Sequence, residues 1–322
     1  MVRNGARYIE ETVASIRQQS YSDWEYLIVD DASTDGTVAI VERLSREDPR
    51  IRLIHRKSSG GPYVGANEGL REARGEYVVR TDGDDLSPPH RIQTQLDFLR
   101  SQPPLRACIS FIRFFRGAKM RAEVSTVPVR PAVLRWYLLL RGASTHSSLC
   151  IEREALNELG GYRELPLSQD YRLLCDLSRR GWLGVVPEAL SFVRTHEERA
   201  TVTRGDVQRA LALDIVADHL RALTGEVWNP EEIALLYAVG HAIPVPVDEG
   251  LAILDRWDRL WRAAPDLSDE DRRGLARLSA FRRRKQLRAS GRREPVAVCL
   301  NLVRLAFSRP GSLFGDVQAA RG

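Results

Sequence analysis

The sequence predicts an α/β protein: a doubly wound, mainly parallel, Rossmann-like sheet followed by a helical C-terminal extension. Three observations carry this. Short apolar runs alternate with helix-patterned segments through the first half, two of those runs end in clustered carboxylates, and strand signals nearly vanish after about Gly205. Such alternation favours parallel strands joined by crossover helices, with ligands at the carboxyl ends of the strands.

The elements follow in order. Ile9, Val13 and Ile16 recur at helical spacing between Ala6 and Gln19. Tyr26-Leu27-Ile28-Val29 is a continuous apolar run that ends at Asp30-Asp31, as a buried parallel strand does. Ser33-Thr34-Asp35-Gly36-Thr37 then opens a helix whose face is Val38, Val41 and Leu44. Residues 51–54 form the next strand, Gly60-Gly61-Pro62 a loop, and residues 64–74 a helix. Tyr77-Val78-Val79 is a strand, and Pro88-Pro89 opens a helix carrying Ile92, Leu96 and Leu99. Strands and helices mix between about 105 and 195, with helices expected at 133–140 and 171–180. Long helical patterns then dominate, as at 207–223 and 231–241. This organisation predicts a sheet domain over 1–204, in halves 1–104 and 105–204, and a helical region over 205–322.

Thr81-Asp82-Gly83-Asp84-Asp85 places three carboxylates within four residues, directly after a strand. Like charges this close repel, and each is costly to desolvate without a cation or proton. A divalent ion holding a phosphorylated substrate is one compensation, and an acidic surface turn is the other reading.

The 322 residues are 43% hydrophobic and 28% charged, as in ordinary soluble proteins, with a net charge of +5. That charge is uneven, since Arg272 to Arg293 holds ten Lys/Arg and no Asp/Glu. The cysteines Cys108, Cys150, Cys175 and Cys299 show no CxxC pair or spacing with His, which favours reduced structural thiols. No apolar stretch reaches the roughly 18–20 residues of a membrane span, and the N-terminus shows no signal-peptide core. The expectation is a cytoplasmic protein. The basic run is either a solvated helix face or an attachment to anionic lipid at the inner face of the plasma membrane, with Val296 to Phe307 entering the interface. It lacks the interleaved aromatics of nucleic-acid binders.

Taken together, Asn4-Gly5-Ala6-Arg7-Tyr8-Ile9, Gln19-Ser20-Tyr21, the run from Val29 to Thr37, Asn67-Glu68-Gly69-Leu70 with Ala73 to Tyr77, and Asp82-Gly83-Asp84 resemble inverting family 2 glycosyltransferases of the GT-A fold over about residues 4–200. The resemblance implies transfer of a sugar from a nucleotide-diphosphate donor, UDP-linked first, to a hydroxyl of a cell-surface glycan or lipid-linked acceptor. It implies that Asp31, Asp82 and Asn67 bind the nucleotide. It further implies that Asp84, with Asp82, binds Mn²⁺ or Mg²⁺. Gly160-Gly161-Tyr162 and Ser168-Gln169-Asp170-Tyr171 resemble the segment of the catalytic base, which assigns that role to Asp170. His146 stands where relatives place a His near the acceptor, and His196, in Arg194-Thr195-His196, where a His reaches the diphosphate or metal. Each of these also has a plain structural reading: a helix cap for Asp31 or Asp170, a buried ring for His146.

The pattern departs from the family twice. Relatives carry a central apolar strand before the position of Met1, so either the natural start lies upstream or another strand compensates. Ala66 stands where relatives often carry Arg. A rival of another class follows from these departures: a degenerate, non-catalytic domain acting as a membrane-associated scaffold.

Overall fold

The computed structural model describes residues 1–117, 119–142, 146–196 and 205–289. The first half forms α1 (Ile9–Arg17), β1 (Tyr26–Asp30), α2 (Thr37–Glu47), β2 (Ile51–His55), α3 (Pro62–Glu72), β3 (Tyr77–Val79) and α4 (Arg91–Ser101), matching the sequence order element by element. Then come β4 (Ala107–Arg116), β5 (Lys119–Ser125), α5 (Pro131–Tyr137), β6 (Cys150–Glu152), α6 (Arg153–Glu158), α7 (Gln169–Arg179) and β7 (Leu183–Arg194). Four helices complete the described chain: α8 (Gly205–Thr224), α9 (Pro230–His241), α10 (Val247–Ala263) and α11 (Asp269–Ala289).

β1 and β2 pair in parallel, and β3, β6, β4 and β5 form a second, mixed sheet in that order, with β7 parallel to β4. Ile9, Val13, Ile28, Val41, Leu44 and Ile51 build one core between α1, α2 and the first sheet. Ile92, Leu96 and Leu99 of α4 build another against Cys108, Cys150, Val186 and Leu190. Both acidic clusters lie where strands β1 and β3 end. Among the described residues no further strand joins the two sheets; Val2 alone makes a parallel bridge to Asp30.

The chain forms two compact units, Met1–Thr126 with Ser144–Gln208, and Val127–Ala143 with Arg209–Gly322. Val127–Ala143, which the sequence reading put with the acceptor half, therefore groups with the helical region. The cause is local: Arg130 bonds Asp271 at 2.7 Å, and a Cβ on Gly274 would meet Val133 at 2.9 Å.

Within that second unit the basic run is partly structural. Arg272 donates to the carbonyls of Trp261, Arg262 and Ala264 at the end of α10, Arg282 to Gly240, and Arg283 to Asp255 and Asp258. Arg273, Lys285 and Arg288 are exposed, and Lys285 lies over the exposed Phe281 ring at 5.1 Å. Cys108, Cys150 and Cys175 are buried free thiols, while Cys299 and Val296 to Phe307 lie outside the described residues. Among the described residues no helix is long and apolar enough to cross a membrane.

Candidate active site

Three corners of the first unit gather the predicted residues. At the end of β1 the chain turns through Ala32, a left-handed residue at φ +58°. Asp31 then faces the loop after β2. Its Oδ1 accepts from the Gly60 N–H at 3.0 Å and from the Arg56 guanidinium, and its Oδ2 from Ser59 at 2.6 Å and the Gly61 N–H at 3.3 Å. Burial works to raise this carboxyl. The Ser59 hydroxyl, the two N–H groups and Arg56 outweigh it and hold Asp31 below the usual carboxylate range. Arg56 also pairs with Glu68 at 3.0 Å, and Arg3 donates to Ser59 at 3.1 Å. Sequence reading missed Arg56 and Ser59, because they sit between motifs in a loop whose only signal is its glycines.

The second corner is the acidic run after β3. The Asp82 carboxylate lies 3.6 Å from the Arg80 guanidinium, and its N–H donates to Ser147 at 3.1 Å. Burial works to raise it, but the Arg80 guanidinium, first among the opposing causes, holds it below its ordinary value. Asp84 stands 2.8 Å from His196 Nε2, and the Tyr8 ring rests against that imidazole at 5.3 Å. Asp85, 1% exposed, accepts the Arg194 N–H at 3.0 Å. Burial, then the charges of Asp82 and Asp84, push it up to about 7. Arg194 stitches β7 to this run, donating to the Asp84 carbonyl at 2.8 Å and to Glu11 at 2.5 Å.

The third corner is built around Tyr162. His146 Nε2 sits 2.8 Å from the Tyr162 hydroxyl and 3.3 Å from Arg80 Nε. Burial, then Arg80, hold this imidazole well below the ordinary His range, so it is neutral at neutral pH. Asn67 reaches across from α3: its amide donates to the Tyr162 carbonyl and accepts the Tyr162 N–H, both at 2.8 Å. The residue expected at the nucleotide thus clamps the Tyr162 backbone. Asp170 is the second residue of α7, behind the left-handed Ser168 at φ +60°. Its Oδ1 accepts the Tyr171 N–H at 2.8 Å. Burial raises the Asp170 carboxyl, and the Asp82 charge adds to that, against the Tyr171 N–H.

Asp82, His146 and Asp170 therefore gather around Arg80 and Tyr162, Asp84 pairs with His196, and Asp31 sits in its own loop. Arg80 was invisible to sequence reasoning because it reads as the last residue of an apolar strand. Among the described residues no three His, Cys, Asp or Glu side chains form a ready-made metal cluster. Asp84 and His196 nonetheless offer a hard oxygen and a nitrogen at one point. That suits an ion that takes its remaining ligands from water and phosphate, as Mg²⁺ commonly does. Asp82, by contrast, is turned to Arg80.

Residues 1–157 match the family described as Glycosyl transferase family 2. EpsE of Bacillus subtilis (strain 168), named as a glycosyltransferase, is 32% identical over 204 residues, which span 60% of this chain and 70% of that protein. The fold resembles the crystal structure of S. aureus TarS 1-349 in complex with UDP-GlcNAc, at TM-score 0.58 and 17% identity over 96% of this chain and 91% of that one. It also resembles the mannosyltransferase PcManGT of Pyrobaculum calidifontis in complex with GDP-Man and Mn²⁺, at TM-score 0.54 and 22% identity over 94% of this chain and 85% of that one.

Proposed function

The chain belongs to glycosyl transferase family 2, and from that premise we propose that it transfers a sugar, with inversion, from a UDP-linked donor to a hydroxyl of a cell-surface glycan or lipid-linked acceptor. One observation carries the reading. Two neighbouring carboxyls are pushed in opposite directions, Asp82 held below its ordinary value and Asp170 raised above it. A pair separated in this way marks one group for charge and the other for proton transfer.

In this reading Asp170 takes the proton of the acceptor hydroxyl. That oxygen forms its bond to the anomeric carbon as the bond to the nucleoside diphosphate breaks on the opposite face. A single displacement inverts configuration and needs one base. Neutral His146 and Tyr162 orient the acceptor. Asp31, by fixing the loop of Arg56, shapes the nucleotide side, Asn67 fixes Tyr162 on the acceptor side, and Asp82 faces the ribose. Asp84 and His196 would hold Mn²⁺ or Mg²⁺, which when bound neutralises charge on the departing diphosphate. The UDP-GlcNAc in the TarS complex and the GDP-Man with PcManGT support a nucleotide-diphosphate sugar as donor, and the Mn²⁺ with PcManGT supports a divalent ion.

One side of α11 extends the proposal. Exposed Arg273, Phe281, Lys285 and Arg288, with half-buried Arg277 and Arg284, fall within a third of the helix circumference at helical spacing. Such a basic stripe with an aromatic suits the anionic inner face of a plasma membrane, where a lipid-linked acceptor would lie.

Calorimetric titration of UDP with Mn²⁺, then with EDTA, tests the donor site. Binding that requires the ion is the expected result, and Asp84→Ala should abolish it. Binding that is equal in EDTA would remove the metal assignment.

A further inference from the structure

Beside the acidic run lies a buried cation that the proposed reaction does not use. Arg91 opens α4 and is 1% exposed. Its guanidinium fork reaches both flanks of the run. Nη2 donates to the Arg80 carbonyl at 2.7 Å, and Nη1 to the Thr81 hydroxyl at 3.3 Å and the Ser87 hydroxyl at 2.9 Å. Nε donates to Gln95 Oε1 at 3.1 Å, one turn along the same helix. The Gln95 amide in turn donates to the Ser148 carbonyl at 2.8 Å, next to the Ser147 hydroxyl that accepts the Asp82 N–H. One side chain therefore fixes the chain just before Asp82 and again at Ser87, and through Gln95 it ties both points to the turn that carries His146.

Packing alone does not account for a guanidinium in this place. Its acceptors are uncharged, and a buried cation with no directly bonded carboxylate is costly to desolvate. Burial pulls Arg91 down to about 10, so it remains charged at neutral pH. It also stands at the start of α4, where the helix's own free N–H groups disfavour positive charge. An apolar side chain of similar volume would fill the space at less cost. What the fork supplies instead is geometry, because its rigid planar donors hold several points of the chain in fixed relation.

We propose that Arg91 is the positioning residue of the acidic run: by clamping both flanks it holds the Asp82 carboxylate towards Arg80 and the Asp84 carboxylate towards His196. Without the clamp the like charges of Asp82, Asp84 and Asp85 are free to spread, and the point where Asp84 and His196 meet loosens. The consequence for cation binding rests on the reading of Asp84 and His196 given above.

Two variants of α4 test the clamp against the unaltered chain. Arg91→Met removes the fork, while Leu96→Ala, from the core of the same helix, removes packing alone. In calorimetric titration of UDP, Arg91→Met should raise the Mn²⁺ concentration for half-maximal binding by roughly 10- to 100-fold, the usual effect of losing a group that orients a metal ligand. Leu96→Ala should leave that concentration unchanged. Equal shifts in the two variants, or none in Arg91→Met, overturn the proposal. Arg91→Lys, which keeps the charge without the fork, should fall between them and carries the same test where Arg91→Met does not fold. Amide hydrogen exchange reads the clamp with neither nucleotide nor ion. The N–H groups of Asp82 and Leu86, bonded to Ser147 and Phe192, should exchange about tenfold faster in Arg91→Met, while those of β1 keep their protection. Unchanged exchange at these amides overturns the proposal even where UDP binds. Faster exchange in a protein that binds no UDP in any form upholds the clamp and removes the cation reading, so the two failures are distinct.

Discussion

The Asp31 corner and the acidic run after β3 both present carboxylates at the end of a strand, yet the chain treats them in opposite ways. Asp31 is surrounded by donors, with Arg56, Ser59 and two glycine N–H groups engaging both oxygens. The acidic run is divided: Asp82 is held ionised by Arg80, Asp85 is pushed up to about 7, and Asp84 is shared with His196. The first corner is finished in the folded chain. The second divides its carboxylates among unlike environments, as the proposed cation site requires.

The largest expected effect sharpens that contrast from the acceptor side. Asp170→Asn should lower kcat by about 10²–10⁴-fold, the usual contribution of a general base, and leave donor affinity unchanged. Retained transfer would remove Asp170 as the base. Next is Asp31→Ala, which strands the Arg56 guanidinium, 13% exposed, beside Glu68 alone. Breaking a buried pair costs about 3–5 kcal/mol, visible in chemical denaturation. An unchanged midpoint would mean that the loop of Arg56 stands without Asp31.

The two corners also differ in sign with pH. Asp31 titrates below its unfolded value, so its stabilisation is present above about pH 4 and is lost as pH falls through the folded pKa. Asp85 titrates above its unfolded value of 3.8, so it destabilises the fold progressively as pH rises from there to about 7. Asp85→Asn should therefore flatten stability between pH 4 and 7, by on the order of 3 kcal/mol at the upper end. Asp31→Asn should lower stability throughout the range above about pH 4 and flatten only the acid limb below it. Identical pH profiles for both variants would erase the distinction.

Much of this was legible in the residues. The apolar runs at Tyr26 and Tyr77, and the helix faces at Val13, Val41 and Leu96, follow from period and burial, and the structure places each element there. The motif carboxylates were legible because their spacing is local. What holds them was not. Arg56 and Ser147 act across 25 residues or more, and Arg80, though two residues from Asp82, is fixed by His146 from 66 residues away; nothing in their own neighbourhood distinguishes them from surface arginines or a turn serine. Val127–Ala143 was misassigned for the same reason: an apolar helix does not announce which helix it packs on.

The smallest effect concerns the link between corners. Gly161 sits at φ +77°, and a Cβ there would meet Asn67 Oδ1 at 2.6 Å. Both features demand glycine, because L-residues avoid that conformation and the Asn67 amide is committed to both backbone groups of Tyr162. Gly161→Ala must shift one partner of that clamp. Tyr162 carries the hydroxyl that meets His146, so the displacement passes to the acceptor side and leaves Asp31 untouched. The expected cost is about 1–2 kcal/mol of stability, together with a raised acceptor KM and an unchanged UDP affinity. Asn67→Ala should relieve the clash, and in that background Gly161→Ala should cost less than it does alone. Strictly additive costs would show that the glycine serves only its own turn, and that the donor and acceptor corners are joined elsewhere.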